Sequence, residues 1–153
     1  MFIEMSSKVP SFKGLQPASA ASSRIKSKNR RSDTKHEILL RHKLWQMGFR
    51  YRKNLATLPG KPDIVFHRAR VLIFCDGDFW HGRDWEILQK KLRNRANADY
   101  WVSKIASNIE RDQRNNAVLR SMGWRVLRFW ETDIIWDPSV AASCIRDAVL
   151  EKR

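Results

Sequence analysis

Pro62-Asp63-Ile64-Val65-Phe66-His67-Arg68-Ala69-Arg70-Val71-Leu72-Ile73-Phe74-Cys75-Asp76 is the stretch that decides the fold. Asp63 to Phe66 and Val71 to Asp76 are short apolar runs rich in β-branched residues, joined by the polar tip His67-Arg68. Such runs predict paired strands that reach the core. Upstream, Leu58-Pro59-Gly60-Lys61-Pro62 reads as a turn, and Phe49 to Lys53 alternates as a strand would. Before that strand, Thr34 followed three residues later by Glu37 is a capping-box start, predicting a helix to about Met47 that Gly48 stops. Downstream come a helix over about Trp85 to Leu92, a basic linker, and a longer helix from about Asp99 to Met122 that Gly123 ends. Trp124 to Trp130 is a further strand, and Pro138, favoured in a first helical turn, opens a last helix to about Glu151. The order α-β-β-β-α-α-β-α predicts an α/β sandwich, a central mixed β-sheet flanked by helices, with its site at the ends of central strands.

The chain has 153 residues, 42% of them apolar, which suits one domain with one core. We place that domain at residues 33–153. Residues 1–32 are rich in Ser, Lys and Arg and read as a flexible basic arm whose Arg24 and Lys28 could lie along phosphates, or as a solubilising tail. Thirty Lys and Arg against sixteen Asp and Glu give a formal charge of +14, which favours a polyanion, nucleic acid before a membrane surface. No stretch approaches the ~20 apolar residues of a spanning helix, and Met1 to Leu15 lacks a signal-peptide core, so the expectation is a cytoplasmic protein. Cys75 and Cys144 fit neither a disulfide framework nor a CxxC pair and read as free thiols.

Hydrolysis of a phosphodiester calls for a divalent cation, and Mg²⁺ wants oxygen ligands. Asp63 opens one strand and Asp76 closes the next, so a hairpin can bring them to a common point, with Glu37 as a third acid. Against this, an Asp at a strand start is often a turn residue, and Glu37 can be a cap and nothing more. Phe79-Trp80-His81 sits in a Gly-flanked loop. His81 could serve as general acid or base, and Phe79 and Trp80 could wedge into a base stack or simply pack in the core. On the long helix Asn108 and Asp112 share a face beside Ile105 and Ile109. Asp112 could orient His81 and Asn108 could reach DNA, or both could belong to a solvated face with Glu110, Arg111 and Arg114.

Asp33-Thr34-Lys35-x-Glu37, Leu58-Pro59-Gly60-Lys61-Pro62-Asp63, Asp76-Gly77-Asp78-Phe79-Trp80-His81-Gly82, Tyr100-Trp101, Lys104-Ile105, Asn108-Ile109-Glu110-Arg111-Asp112 and Gly123-Trp124-Arg125-Val126-Leu127 occur in order and at fitting spacings. The set resembles the very-short-patch repair endonucleases over about Arg24 to Ile134. The resemblance implies a restriction-endonuclease-like fold that nicks one strand of duplex DNA beside a T·G mismatch, the lesion left by deamination of 5-methylcytosine. A cytosine methyltransferase and mismatch-repair proteins are then candidate partners. It implies Asp63 as principal Mg²⁺ ligand, with Mn²⁺ able to substitute, and the Cys75 backbone carbonyl as a second ligand. His81 becomes the acid/base, Asp112 its hydrogen-bonded partner, and Glu37 an acid near the metal. Phe79, Trp80 and Trp101 match intercalating aromatics, and Lys61 and Asn108 fall at DNA-contacting positions. Two departures stand out. Where founding members hold structural zinc, this chain has Asp78, Arg83, Trp85 and Thr132, so no zinc is expected; Trp85 would pack there and Asp78 pair with Arg83. Where they have a histidine, this chain has Asp76, a further candidate metal ligand. The alternatives are a restriction or defence endonuclease without mismatch specificity, and a DNA-kinking protein that cuts nothing. The acids Glu37, Asp63, Asp76 and Asp112 argue against the last, because binding phosphates gains little from carboxylates.

Overall fold

The computed structural model describes residues 32–151, so the arm residues Arg24 and Lys28 lie outside the described residues. Nine elements follow: α1 (Lys35–Gln46), β1 (Arg52–Lys53), β2 (Ile64–Phe66), β3 (Val71–Asp76), α2 (Trp85–Arg93), α3 (Ala98–Ser121), β4 (Arg125–Trp130), α4 (Glu131–Trp136) and α5 (Pro138–Leu150). They group into two compact units. One is Phe79–Arg111; the other comprises residues 32–78 and 112–151 and holds the sheet.

The sheet has the order β1-β2-β3-β4, antiparallel from β1 to β3 and parallel between β3 and β4. This is the mixed, helix-flanked sheet of the α/β class expected from the sequence. All residues of β2 and β3 are buried, as their unbroken apolar runs require. Side-chain alternation gives the sheet two apolar faces. On one, Ile64, Phe66, Val71, Ile73 and Cys75 pack with Leu40 and Leu44 of α1, Ile134 of α4 and Ala141, Ala142, Ile145 and Ala148 of α5. On the other, Val65, Leu72 and Phe74 pack with Leu119 and Trp124. Trp124 precedes β4 and is enclosed by the Arg70 guanidinium, 4.0 Å above its ring, and the edge of His67.

Three expectations change. The strand read at Phe49–Lys53 shortens to Arg52–Lys53, because Phe49 and Tyr51 turn in against Phe66 and the core instead of continuing the ladder. Thr34 precedes α1 but its side chain does not cap it, and the expected capping box does not form: Glu37 reaches back to accept from the Asp33 N–H, one residue before the cap position. A short helix, α4, follows β4 directly and delivers Ile134, fully buried, to the core. Among the described residues no helix is long and apolar enough to cross a membrane.

Candidate active site

The acidic end of the sheet is built where β2 begins and β3 ends. Asp63 stands just before β2, its N–H donating to the Ile73 carbonyl at 3.0 Å. Its Oδ2 accepts the Cys75 N–H at 2.7 Å, which ties the entry of one strand to the exit of the next. The turn leading to Asp63 is tightly set. Gly60 has φ +77°, and a Cβ there would lie 3.0 Å from Asn115 Nδ2 and 3.2 Å from the Phe74 ring. Lys61, exposed, holds left-handed backbone as well (φ 53°); for a lysine this is strain of the kind that collects at functional sites.

The Cys75 carbonyl has a partner that sequence reasoning missed. His36, buried on α1, donates Nε2–H to that carbonyl (3.3 Å) and shares it with Thr34 Oγ1 (3.1 Å), while its Nδ1 lies 3.7 Å from Glu131. Thr34 in turn donates to Glu37 Oε1 at 2.9 Å. Buried Glu37 is thus held by the Thr34 hydroxyl and the Asp33 N–H, in a position fixed by the helix start. Asp33 is anchored by Arg41 (2.5 Å) and Lys53 (3.4 Å), whose hydrogen bonds, and to a lesser degree their charges, lower the pKa of its carboxyl. The Cys75 thiol points to the core. Burial pushes its pKa well above the ordinary value, and the carboxylates of Asp63, Glu37 and Asp76 push the same way.

Asp76 closes β3 on the opposite face. Arg128 Nη1 reaches its two oxygens at 2.8 and 2.7 Å, stacks its guanidinium 4.3 Å over the Phe74 ring, and donates Nε–H to Asn116 Oδ1 at 3.0 Å. The same Nη1 lies 3.6 Å from Asp112 Oδ2. Asp76, a candidate metal ligand by sequence, therefore has an arginine on its carboxylate, and Arg128 was not singled out from the sequence at all. The signal was there: in β4 the alternation places Arg128 on the face of Val126 and Phe74, where an apolar residue is expected.

In the unit Phe79–Arg111, three of the expected DNA-contacting aromatics form one cluster. Ring centroids lie 5.2 Å apart for Phe79 and Trp80, 5.7 Å for Phe79 and Trp101, and 6.0 Å for Trp80 and Trp101, and Tyr100 stacks edgewise on Trp101 at 5.1 Å. All are half-buried. Asn108, expected to reach DNA, is buried; its Nδ2 donates to the Trp80 carbonyl at 3.0 Å and its Oδ1 accepts from Arg111 at 3.2 Å. The amide therefore fixes the backbone of the aromatic loop. His81 lies in this loop, half-buried. Next to it Gly82 has φ +70°, and a Cβ would sit 2.5 Å from Ile109 Cδ1, so only glycine lets the loop pass α3 this closely.

Residues 17–87 match the family described as DNA mismatch endonuclease Vsr. The chain is 42% identical to the Type II nicking enzyme V.NmeDIP of Neisseria meningitidis serogroup C, over 82% of this chain and 83% of that protein. It is 41% identical to the Type II nicking enzyme V.HpaIIP of Haemophilus parainfluenzae, over 84% and 89%. The chain belongs to the Vsr family. The DNA mismatch endonuclease Vsr of Escherichia coli (strain K12) is more distant, 37% identical over 69% of each chain. As a Vsr-family member the protein is a DNA endonuclease, and the acidic end of the sheet is the natural place to look for its chemistry. Two of the positions at which the resemblance put zinc ligands in Vsr founding members, Asp78 and Thr132, are joined here: the Thr132 hydroxyl and N–H both donate to the Asp78 carboxylate.

Proposed function

We propose that this Vsr-family endonuclease nicks one strand of duplex DNA at T·G mismatches and depends on Mg²⁺, with Mn²⁺ as a substitute. The observation that carries the reading is the 2.7 Å bond from the Cys75 N–H to Asp63 Oδ2, which brings a carboxylate and the Cys75 peptide to one point at the strand ends. Among the described residues no three His, Cys, Asp or Glu side chains gather as a metal-holding cluster. A carboxylate plus a backbone carbonyl is nevertheless a hard oxygen set, and Mg²⁺ commonly keeps several waters beside one or two carboxylates. Asp63 and the Cys75 carbonyl would hold the ion, with Glu37 contributing negative charge nearby; when bound, it supplies polarisation of the phosphoryl group. Structural zinc has no part in the reading.

The remaining roles follow the chemistry of each group. His81 moves a proton at its imidazole as the acid/base, with Asp112 as the carboxylate that orients it. Phe79, Trp80 and Trp101 enter the base stack as apolar wedges, already packed as one unit by the loop that Asn108 fixes. Lys61 and the arm residues Arg24 and Lys28 meet phosphates. The relatives named Type II nicking enzymes support a single-strand cut, and the relative named a mismatch endonuclease supports the mismatched substrate. A cytosine methyltransferase acting on the same sequence would generate that substrate. End-labelled duplexes identical but for one T·G pair, in varied flanking sequence, test the reading with Mg²⁺ and the Asp63→Ala variant. One mismatch-dependent nick, lost in the variant and in chelator, is the expected outcome. Cleavage of matched duplex would move the assignment to a restriction-type activity, and binding without cleavage in Mg²⁺ or Mn²⁺ would sink it.

A further inference from the structure

We propose that Arg128 is a positioning residue of the cleavage site, which neutralises Asp76 and thereby makes Asp76 a charge partner of the arginine instead of a ligand for the metal. The inference rests on the reading of the Asp63 end of the sheet as the place of cleavage. Arg128 touches two of the acids in that end, Asp76 at 2.7 Å and Asp112 at 3.6 Å, and is itself held by Asn116 and by the Phe74 ring. Its side chain is 20% exposed and that of Asp76 7% exposed. At such burial the guanidinium and the carboxylate serve as each other's counter-charge. A cation arriving at the Asp76 carboxylate would have to share it with a positive group already in contact, which opposes binding there.

The arginine also fixes geometry. Asp76 and Cys75 share a peptide, so a clamp on the Asp76 side chain limits rotation of the Cys75 carbonyl, which His36 steadies from α1. Asp63 is bonded to the N–H on the other side of Cys75. The arginine thus acts on the metal-facing atoms through the last residue of β3, and on Asp112 directly. Without it, Asp76 and Asp112 would each lose a positive group in contact, next to a site whose strength depends on where negative charge is placed.

Charge and geometry predict effects of opposite sign, which a merely structural arginine would not produce. The full chain and its Arg128→Met, Arg128→Lys, Asp76→Asn and paired Asp76→Asn/Arg128→Met variants are compared by Mn²⁺ binding in calorimetry without DNA, by Tm, and by kcat and KM for nicking. Arg128→Met should bind Mn²⁺ at least as tightly as the wild type while its kcat falls roughly tenfold to a hundredfold, because a displaced acid no longer serves the reaction. KM for the duplex should stay within about threefold, and Arg128→Lys, which keeps the charge but not the planar guanidinium, should recover part of kcat. Asp76→Asn should weaken Mn²⁺ binding by removing the nearer of the arginine's two acidic partners, and the paired variant should restore both binding and Tm. Mn²⁺ binding that stays weak in the folded paired variant would identify Asp76 as a ligand and overturn the proposal. So would wild-type nicking by folded Arg128→Met. A wild-type protein that nicks no duplex would instead overturn the functional reading, and this inference with it.

Discussion

Cys75 and Cys144 carry the same side chain into opposite surroundings. Cys75 is buried among carboxylates, and Cys144 is exposed on α5. The folded state resists ionisation of Cys75, so its pKa there exceeds that of the unfolded chain. The neutral thiol therefore adds stability that is fully present below the ordinary thiol range and is lost as pH rises from there through the raised pKa of the folded state. A thiol reagent at pH 8 should titrate one of the two cysteines in the native protein and both in denaturant; rapid reaction of both in the native state would contradict the burial of Cys75. At this scale the sequence was most readable where a residue type was out of place. Asp63 and Asp76 stand at the ends of apolar runs and so declared themselves. Arg128 was out of place in β4 as well, but its partner and that of His36 lie more than fifty and about forty positions away, and a single strand or helix pattern carries no record of a partner. Glu37 was read both as a cap and as an acid of the site. Its contacts to Asp33 and Thr34 belong to the first reading and leave its carboxylate beside the second.

Elements were legible in proportion to their length and period. The long helix α3, the buried strand β3 and the Pro-initiated α5 stand close to where the pattern put them. Short elements did not announce themselves: β1 keeps two residues, and α4, Glu131–Trp136, is too brief to complete two turns of an apolar stripe. Its existence follows instead from Ile134, which fills the core between α1 and α5. The start of α5 shows what local chemistry can fix. Pro138 supplies the preset φ of a first turn, and the Asp137 side chain accepts the Ser139 N–H at 2.9 Å. Replacing Asp137 by Ala should cost about 1 kcal/mol, within the usual range for a lost helix cap, read from the urea midpoint. Because α5 lies under the sheet face opposite Asp76, the nicking rate of that variant should remain that of the wild type at temperatures where it is folded. A change below 0.3 kcal/mol, roughly the noise of such comparisons, would mean that Pro138 alone sets the helix start.

For the whole molecule, composition was the most direct guide. A charge of +14 on 153 residues has little to do with the fold and much to do with a polyanionic partner. Binding of the Asp63→Ala variant to duplex without divalent metal should weaken steeply between 50 and 200 mM salt, by roughly a thousandfold if about six phosphates are contacted. Fluorescence anisotropy across that range checks it, and a flat profile would show that the basic residues are not used on DNA. What the sequence did not reveal is the division into two compact units, since α3 runs through both without a break in pattern. The position of β3 has a last consequence. All six of its residues are buried, five of them, Val71 to Cys75, in the hydrophobic clusters on either side, and its final peptide carries the carbonyl assigned to the metal. The carbonyl assigned to the metal is thus mounted on a fully packed strand, whereas His81 and the aromatic wedges belong to the other compact unit. Two compact units give activity two ways to be lost on heating, and only one of them involves the sheet.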